Sequence, residues 1–545
     1  VPVVLPLPIE LSDVPDRTMM NNNANSLSSI LQTVSEIESQ IEELRQEQAH
    51  LSAPIIKKAL SSDSAIALID TATQPNTDLL ASPIADQPSI RNVVQQVIQH
   101  GISEPSANVV GMIYAVRHSI EYCTSKFNHL YDTSMLLPNE IHQIDRYLTE
   151  LNIMSQQVDL FVTELIQMVI LDLQPSELVK LVISRQPFPC SVKQNKPVTS
   201  PTHVRLLTSA RVSVRPTTLC KAIVVLPPSK SKKNNITVNN DEVELDSTYV
   251  ARFTALTFPH GSRLKSIQLK YGVKVFVSPD SNDVSTSNSG RRSAARDTEV
   301  QLESELSGDL IVKTNENQWD ECEGALLRKS VWGDEPTAKV SWDRFCNVLQ
   351  LHYTNATRQD LAAPVRLLTL ADFFYIRSLK LKPDCTSVSN KDFKRIWEWF
   401  GPYMHRIRYQ RHMCTLWNSG AVVGFIDRPT AQELLLRTNL VGAFLLRFSE
   451  RVAGQFAVSY VVASGSASLT VRHYLIRDTD TAGAKKTLPD FLREYKEFSV
   501  LLTVTRNDDG ERVITLRNKH DALAELYSKK VDSAFDGYED VIVAE

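Results

Sequence analysis

Residues 24–51 repeat apolar positions at alternating steps of three and four: Leu27, Ile30, Val34, Ile37, Ile41, Leu44 and Leu51, with one polar slip at Gln48. Glu, Gln and Arg fill the other faces. This is the a/d spacing of a helix that packs in coiled-coil fashion, because a repeat near 3.5 residues keeps one seam facing its partner. The seam returns over 139–170 at Ile141, Ile144, Leu148, Leu151, Val158, Val162, Leu165 and Val169, with Ser155 as its polar position. Between them 89–101 and 107–131 read as helices, split by Gly101-Ile-Ser-Glu-Pro105. Pro138 opens the next helix, and Pro175 begins a further short one. The pattern predicts an antiparallel four-helix coiled-coil bundle over 1–185, its stripes turned to the core.

From Arg185-Gln-Pro-Phe-Pro-Cys190 to about 315 the period is two. Val204-Arg-Leu-Leu, Arg211-Val-Ser-Val-Arg, Ala222-Ile-Val-Val-Leu, Tyr249-Val-Ala-Arg-Phe, Ser266-Ile-Gln-Leu-Lys, Val273-Lys-Val-Phe-Val and Asp309-Leu-Ile-Val-Lys read as strands. Seven or eight short strands with Pro, Asn and Ser turns predict an immunoglobulin-like β-sandwich over 186–315. Two loops, 227–235 and 279–296, are rich in Lys, Ser, Asn and Arg.

Helical spacing resumes over 316–415. Trp319, Leu326, Leu327 and Trp332 form one set, Phe345, Leu349 and Leu351 a second, and Phe373, Phe374 and Ile376 a third. In Asp392-Phe-Lys-Arg-Ile-Trp-Glu-Trp-Phe400 the apolar face is Phe393, Ile396, Trp397 and Phe400. A small helical linker domain is expected, without a calcium loop of the D-x-D-x-D-G type. The stretch 416–531 is mixed: helices at 428–437, 488–496 and 519–528, and strands at 443–448, 455–462, 469–476, 499–505 and 512–517. The fold class is thus multidomain α+β.

Charge sharpens the division. Residues 1–184 hold 9 Lys plus Arg against 22 Asp plus Glu, net −13, whereas 186–315 hold 18 against 11, net +7. A basic sandwich following an acidic bundle favours anionic partners for the sandwich alone. The seven cysteines (123, 190, 220, 322, 346, 385, 414) include no CxxC pair, which argues against a disulfide framework and a structural zinc site. No apolar run is long enough to span a bilayer, and the Pro-broken start lacks a basic region, so neither membrane insertion nor a signal peptide is expected. A chain without an initiator Met is expected to be a piece of a longer one.

The chemistry concentrates in Gly442-Ala-Phe-Leu-Leu-Arg447-Phe-Ser-Glu450, where one arginine lies inside an apolar strand. Burying a guanidinium is costly without an anionic partner. Phosphotyrosine carries a charge of about −1.5 to −2 and three acceptor oxygens, and arginine's planar fork grips it in a way lysine cannot copy. On this pattern alone, a phosphate fork and a structural ion-pair arginine are equally good readings.

The run resembles the signature of SH2 domains, and its Leu-Leu-Arg-Phe-Ser-Glu form resembles that of STATs, the signal transducers and activators of transcription. Trp417-Asn-Ser-Gly-Ala-Val-Val-Gly-Phe-Ile426 is similar to the segment opening STAT SH2 domains, and Val471-Arg-His-Tyr-Leu-Ile-Arg477 resembles the fourth SH2 strand. Arg185-Gln-Pro and Val204-Arg-Leu-Leu resemble the entry to the STAT DNA-binding domain. The order of bundle, sandwich, linker, SH2 domain (416–531) and tail tyrosine (532–545) follows the family. The Asn-rich patches at 21–23, 234–235 and 239–240 suggest a social-amoeba member.

The resemblance implies that Arg447 is the phosphate fork, completed by Ser449 and the backbone at Glu450. Arg428 takes the place of a lysine usual in animal members, Arg451 replaces a small polar residue, and His473 matches a position that abuts the tyrosine ring in many SH2 domains. Tyr538, in Asp536-Gly-Tyr-Glu-Asp-Val-Ile-Val543, matches the activating tail tyrosine. About ten linking residues reach at most about 35 Å, enough to enter a partner's pocket across a two-fold axis. DNA contacts are expected from Lys193, Gln194, Lys196, Arg263, Lys265 and Asn315, the last resembling the base-facing Asn of the family; a palindromic TTC…GAA site is implied.

The implied partners are a second copy of the chain, double-stranded DNA and an upstream tyrosine kinase or receptor. The implied localisation is cytoplasmic when latent and nuclear after phosphorylation. No cofactor is implied. Kinase, P-loop and hydrolase motifs are absent, so no enzyme is expected. The rival is a cytosolic phosphotyrosine-binding adaptor of the Cbl type, which also joins a four-helix bundle, a linker and an SH2 domain, but has no basic sandwich and carries paired RING cysteines.

Overall fold

The computed structural model describes residues 17–50, 104–136, 138–170, 174–187, 191–198, 201–226, 236–262, 265–279, 297–333, 337–357, 366–464, 468–481, 487–506 and 512–528. These form two bodies: 17–333 with 343–351, and 337–342 with 352–528.

In the first body three long helices, α1 (Arg17–His50), α2 (Glu104–Thr133) and α3 (Pro138–Ile170), share one core. Leu27, Ile30, Val34, Ile37, Ile41 and Leu44 of α1 are all buried, as are Ile141, Ile144, Leu151, Val158, Val162 and Leu165 of α3. The seam therefore packs against Ile113, Ile120, Cys123 and Phe127 of α2. Leu51 and the expected helix at 89–101 lie outside the described residues.

The sandwich comprises β1 (Val179–Arg185), β2 (Ser191–Lys193), β3 (Thr202–Thr208), β4 (Val212–Pro216), β5 (Cys220–Val225), β6 (Glu242–Val243), β7 (Val250–Phe253), β8 (Gln268–Pro279), β9 (Thr298–Glu303) and β10 (Ile311–Lys313). One sheet runs β1-β3-β7; the other runs β4-β8-β5-β6, with β9 also on β8; β2 and β10 pair in parallel. Three expectations change. The sheet begins at Val179, not after Arg185, because Leu181 and Ile183 face the sandwich core while β1 pairs with β3. Pro175 opens only a 3-10 turn ending at Glu177. The expected strands at 266–270 and 273–277 are one strand, because burial of Leu269, Tyr271, Val273, Val275 and Val277 continues the period of two through Gly272.

Bundle and sandwich adhere through α3. Leu160 packs with Val182 and Leu207. Beside them the buried Glu164 accepts from Ser209 Oγ at 2.5 Å and from Arg211 Nε at 2.7 Å. Such a pair repays its desolvation only while both partners remain.

In chain order follow α4 (Trp319–Trp332), β11 (Val340–Ser341), α5 (Trp342–Thr357), α6 (Leu370–Lys380), β12 (Ser387–Val388), α7 (Asn390–Tyr409) and α8 (Met413–Asn418). β11 and β12 pair antiparallel, joining two inter-helix loops. Capping boxes at Thr369 and Ser389 fix the starts of α6 and α7. The buried face of α7 includes Phe393, Ile396, Trp399, Phe400 and Tyr403, so Trp399 takes the place expected of Trp397, which is half-exposed.

The mixed region of the second body holds β13 (Val422–Gly424), α9 (Arg428–Arg437), β14 (Ala443–Phe448), β15 (Phe456–Ser464), β16 (Ser468–Leu475), α10 (Leu488–Glu494), β17 (Val500–Arg506), β18 (Arg512–Asn518) and α11 (Lys519–Leu523). Its sheet runs β16-β15-β14-β17-β18, with β13 parallel to β14. Ala443 and Leu445 of β14 share a core with Ala431, Leu434 and Leu435 of α9, while Phe444 and Phe448 of β14 stack elsewhere, on Phe498 and on Tyr403.

Replacing Arg211 with Ala leaves the buried Glu164 without this cation, although Ser209 Oγ still donates to it. It is expected to destabilise the first body by about 3–5 kcal/mol, whereas the apolar pair Glu164→Leu with Arg211→Met restores most of the loss. Urea titration read by hydrogen exchange of peptides covering β1 and β3 checks this.

Candidate functional site

The period of two decides where Arg447 points. Ala443, Leu445 and Arg447 alternate with Phe444, Leu446 and Phe448, so the guanidinium emerges on the face of β14 that α9 covers. Arg447 is only 6% exposed. Its Nε donates to Ser459 Oγ (3.3 Å), and its Nη1 to the Phe448 carbonyl and to Glu450 Oε1 (both 3.2 Å). Two neighbours hold its backbone: Ala457 of β15 and, on the parallel side, Gly424 of β13. Gly424 has φ +81°, and a Cβ there would meet the Trp417 ring at 2.6 Å, so only glycine lets β13 lie so close.

Around this fork the structure gathers most of the expected site. Arg428 is the first residue of α9, and its backbone N–H donates to Glu450 Oε1 at 2.9 Å. Asp427 caps the same helix by accepting from Thr430 N at 2.7 Å. Ser449 is buried, and its Oγ accepts from Val452 N at 3.1 Å. Arg451 is exposed. His473 Nδ1 lies 2.8 Å from Ser459 Oγ. Burial, then Arg428, then Arg447 push the imidazole down to about 4. A neutral Nδ1 accepts the Ser459 proton, leaving the hydroxyl oxygen free to accept from Arg447. Glu450 departs from expectation: its side chain, and not its backbone alone, enters the pocket.

The sequence reading missed the residues that fix the loop after β14. Trp399 Nε1 donates to the Ser449 carbonyl at 3.0 Å. Tyr403 Oη lies 2.9, 3.1 and 2.9 Å from the carbonyls of Ser449, Val452 and Gln455, and its single proton serves one at a time. Phe448 stacks on Tyr403 with centroids 4.1 Å apart and packs against Trp417 and Phe425. The phosphate-loop candidate is thus held by α7, a helix outside the expected 416–531 domain. The i, i+3, i+7 spacing of Ile396, Trp399 and Tyr403 was the available signal. Tyr375 of α6 also borders this cluster: its ring packs on Trp399 and Phe425, and its hydroxyl is buried.

A second cluster forms at one end of the sandwich. Because β2 and β10 are parallel, the segments after Lys193 and Lys313 leave the sheet side by side. Gln194 N bonds to Lys313 O, Asn195 N to Phe258 O, and Ser262 N to Val312 O. The loops 193–196, 258–262 and 313–315 therefore meet, with Lys265 N bonded to Ser262 O. Lys196, Lys265 and Asn315 are exposed. Lys193 pairs with Glu316 at 2.8 Å, and Gln194 Nε2 donates to the Pro259 carbonyl at 2.5 Å, so Gln194 has a structural duty. Arg263 and Tyr538 lie outside the described residues.

Sheet, flanking helix and buried arginine define an SH2-domain protein, and residues 422–528 match the SH2 domain family. Residues 179–294 match the STATa immunoglobulin-like domain, and 315–410 match an EF-hand fold domain. Signal transducer and activator of transcription A of Dictyostelium discoideum is 34% identical over 362 residues, 65% of this chain and 48% of that protein. Signal transducer and activator of transcription B of the same organism is 30% identical over 445 residues, 74% of this chain and 36% of that protein. A Drosophila melanogaster signal transducer and transcription activator is 28% identical over 138 residues, 24% of this chain and 17% of that protein. The chain belongs to the STAT family and spans less than half the length of each of these relatives. All three are named for signal transduction and transcription, not for a catalysed reaction.

The EF-hand match covers α4 to α7 and includes the β11–β12 pair, and the residues of its second loop do not fit calcium. A calcium loop needs carboxylates at alternating positions. The loop 381–389 carries Asp384 alone, and Asp372 and Asp392 are engaged in capping boxes. No group of three or more candidate ligands gathers among the described residues.

The depressed His473 value carries a sign. The folded ring stays neutral down to about 4, whereas the unfolded ring takes a proton near 6.5. Between these values the unfolded chain binds more protons, so this group's contribution to stability falls as pH drops through that window. NMR titration should place the His473 midpoint near 4 in the free protein. Saturating phenyl phosphate should raise it, because the anion offsets the two arginines.

Proposed function

We propose that this chain is the phosphorylation-controlled core of a STAT-type transcription factor, latent in the cytoplasm and nuclear once phosphorylated by an upstream tyrosine kinase. The observation that carries the proposal is the buried Arg447 fork, set between Ser459, Glu450 and the first turn of α9. Arg447 takes the phosphate, Arg428 adds positive charge at the helix N-terminus, and Ser449 and Arg451 flank the loop. Tyr538 supplies the phosphotyrosine to a second copy of the chain. Each subunit gives one tail and receives one, so two moderate contacts act together through effective concentration. Val541-Ile-Val543 adds a strand to a sheet edge of the partner, for which the outer strand β16 offers a place, or pairs with the other tail. The domain divisions of bundle, sandwich, linker, SH2 domain and tail serve that arrangement.

The sandwich is the DNA-binding element of the proposal. Its net +7 balance over 186–315 and the meeting of the 193–196, 258–262 and 313–315 loops support it. Lys193, Lys196, Arg263 and Lys265 contact phosphates, while Asn315 faces a base edge; Gln194 orients the first loop. A two-fold dimer presents two such ends and selects a palindrome. The match to the STATa immunoglobulin-like domain favours this reading over the Cbl-type adaptor.

Kinase-treated wild type should sediment as a dimer, and Tyr538→Phe and Arg447→Ala should each remain monomeric. A dimer in either variant overturns the clasp. In gel shift with a palindromic TTC…GAA duplex, binding should require phosphorylation and weaken with salt. Lys196→Ala and Lys265→Ala should each reduce the salt slope by about 2, because one phosphate contact is lost from each of the two subunits. Salt-independent affinity would remove the phosphate contacts as its basis.

A further inference from the structure

The Arg447 pocket already holds an anion. Glu450 Oε1 accepts from Arg447 Nη1 at 3.2 Å and from the Arg428 backbone N–H at 2.9 Å. These are two donors that a bound phosphate would claim, and one carboxylate oxygen satisfies both. The neighbouring Asp427 caps α9 instead, its Oδ1 accepting from Thr430 N. Arg447 is almost fully buried, so leaving its guanidinium unpaired would be costly. The Glu450 side chain is 31% exposed.

We infer that Glu450 is the resident counter-ion of the Arg447 pocket and sets its affinity threshold, so that a ligand binds by displacing its carboxylate. The inference rests on the reading of Arg447 as a phosphotyrosine fork. The free pocket is then competent only while Glu450 is away, and apparent affinity falls by that fraction. A dianionic phosphoryl group outbids one carboxylate through its extra charge and oxygens. An acidic side chain or a sulfotyrosine exchanges one negative charge for another and gains little. Glu450 thereby weakens all anionic ligands alike, and those that bind an empty arginine pocket only weakly fall below useful affinity.

The test uses the full chain and fluorescence anisotropy with peptide 532–545 carrying phosphotyrosine or sulfotyrosine at Tyr538. Glu450→Gln keeps a carbonyl for the Arg428 N–H but removes the charge. It should tighten phosphotyrosine and sulfotyrosine binding by the same factor, about threefold to tenfold, because both ligands must displace the carboxylate. Unchanged affinities in a folded Glu450→Gln protein overturn the inference. A wild type that binds neither peptide, or an Arg447→Ala protein that binds like wild type, overturns the reading of Arg447 instead. An independent measurement needs no variant: with 13C-carboxyl glutamate, the Glu450 resonance should move when phenyl phosphate saturates the protein. A resonance that stays in place while phenyl phosphate binds also overturns the inference.

Discussion

A guanidinium inside an apolar strand needs a fixed, hydrogen-bonded, anionic environment, and much of the second body is organised around supplying one to Arg447. β13 and β15 hold its backbone, Ser459 takes its Nε, and Glu450 supplies the charge. His473 is neutral first because it is half-buried, and then because a protonated imidazole beside Arg428 and Arg447 would add a third cation. Glycine at 424 and the aromatic cluster around Phe448 are the packing side of this arrangement.

That environment crosses the border expected from sequence. Trp399 and Tyr403 of α7 hold the carbonyls of the loop that follows Arg447, and Tyr375 of α6 borders the same cluster. The helical segment before the SH2 fold therefore acts as the outer wall of its pocket loop. In the first body, the buried Glu164–Arg211 pair and the Leu160–Val182–Leu207 contact fasten α3 to the sandwich. Element boundaries read along the chain are not packing boundaries in either body.

Local rules read well where one rule dominated. The seam from Leu27 to Leu44 was legible because burial on one face leaves a fixed period in the sequence, and β14 was legible as a short apolar run, buried on both faces. Reading failed where two rules met. Gly272 and its neighbours looked like a break, but buried odd-numbered residues carried β8 straight through. Trp397 and Trp399 both suit an apolar helix, and only packing against Phe425 and Phe448 selects Trp399.

The sequence by itself determined the basic sandwich after an acidic bundle and the single arginine embedded in an apolar strand, because composition and periodicity are properties of neighbours along the chain; the STAT signature was carried by the resemblance of short motifs in order. The tertiary structure alone decided what that arginine meets. Ser459, His473, the N-terminus of α9 and the Glu450 carboxylate converge on it from separate elements. Likewise, only the parallel pairing of β2 with β10 brings Lys196 and Asn315 to one end of the sandwich. Spacing in sequence carries no record of such convergence, which arises from strand pairing and helix packing.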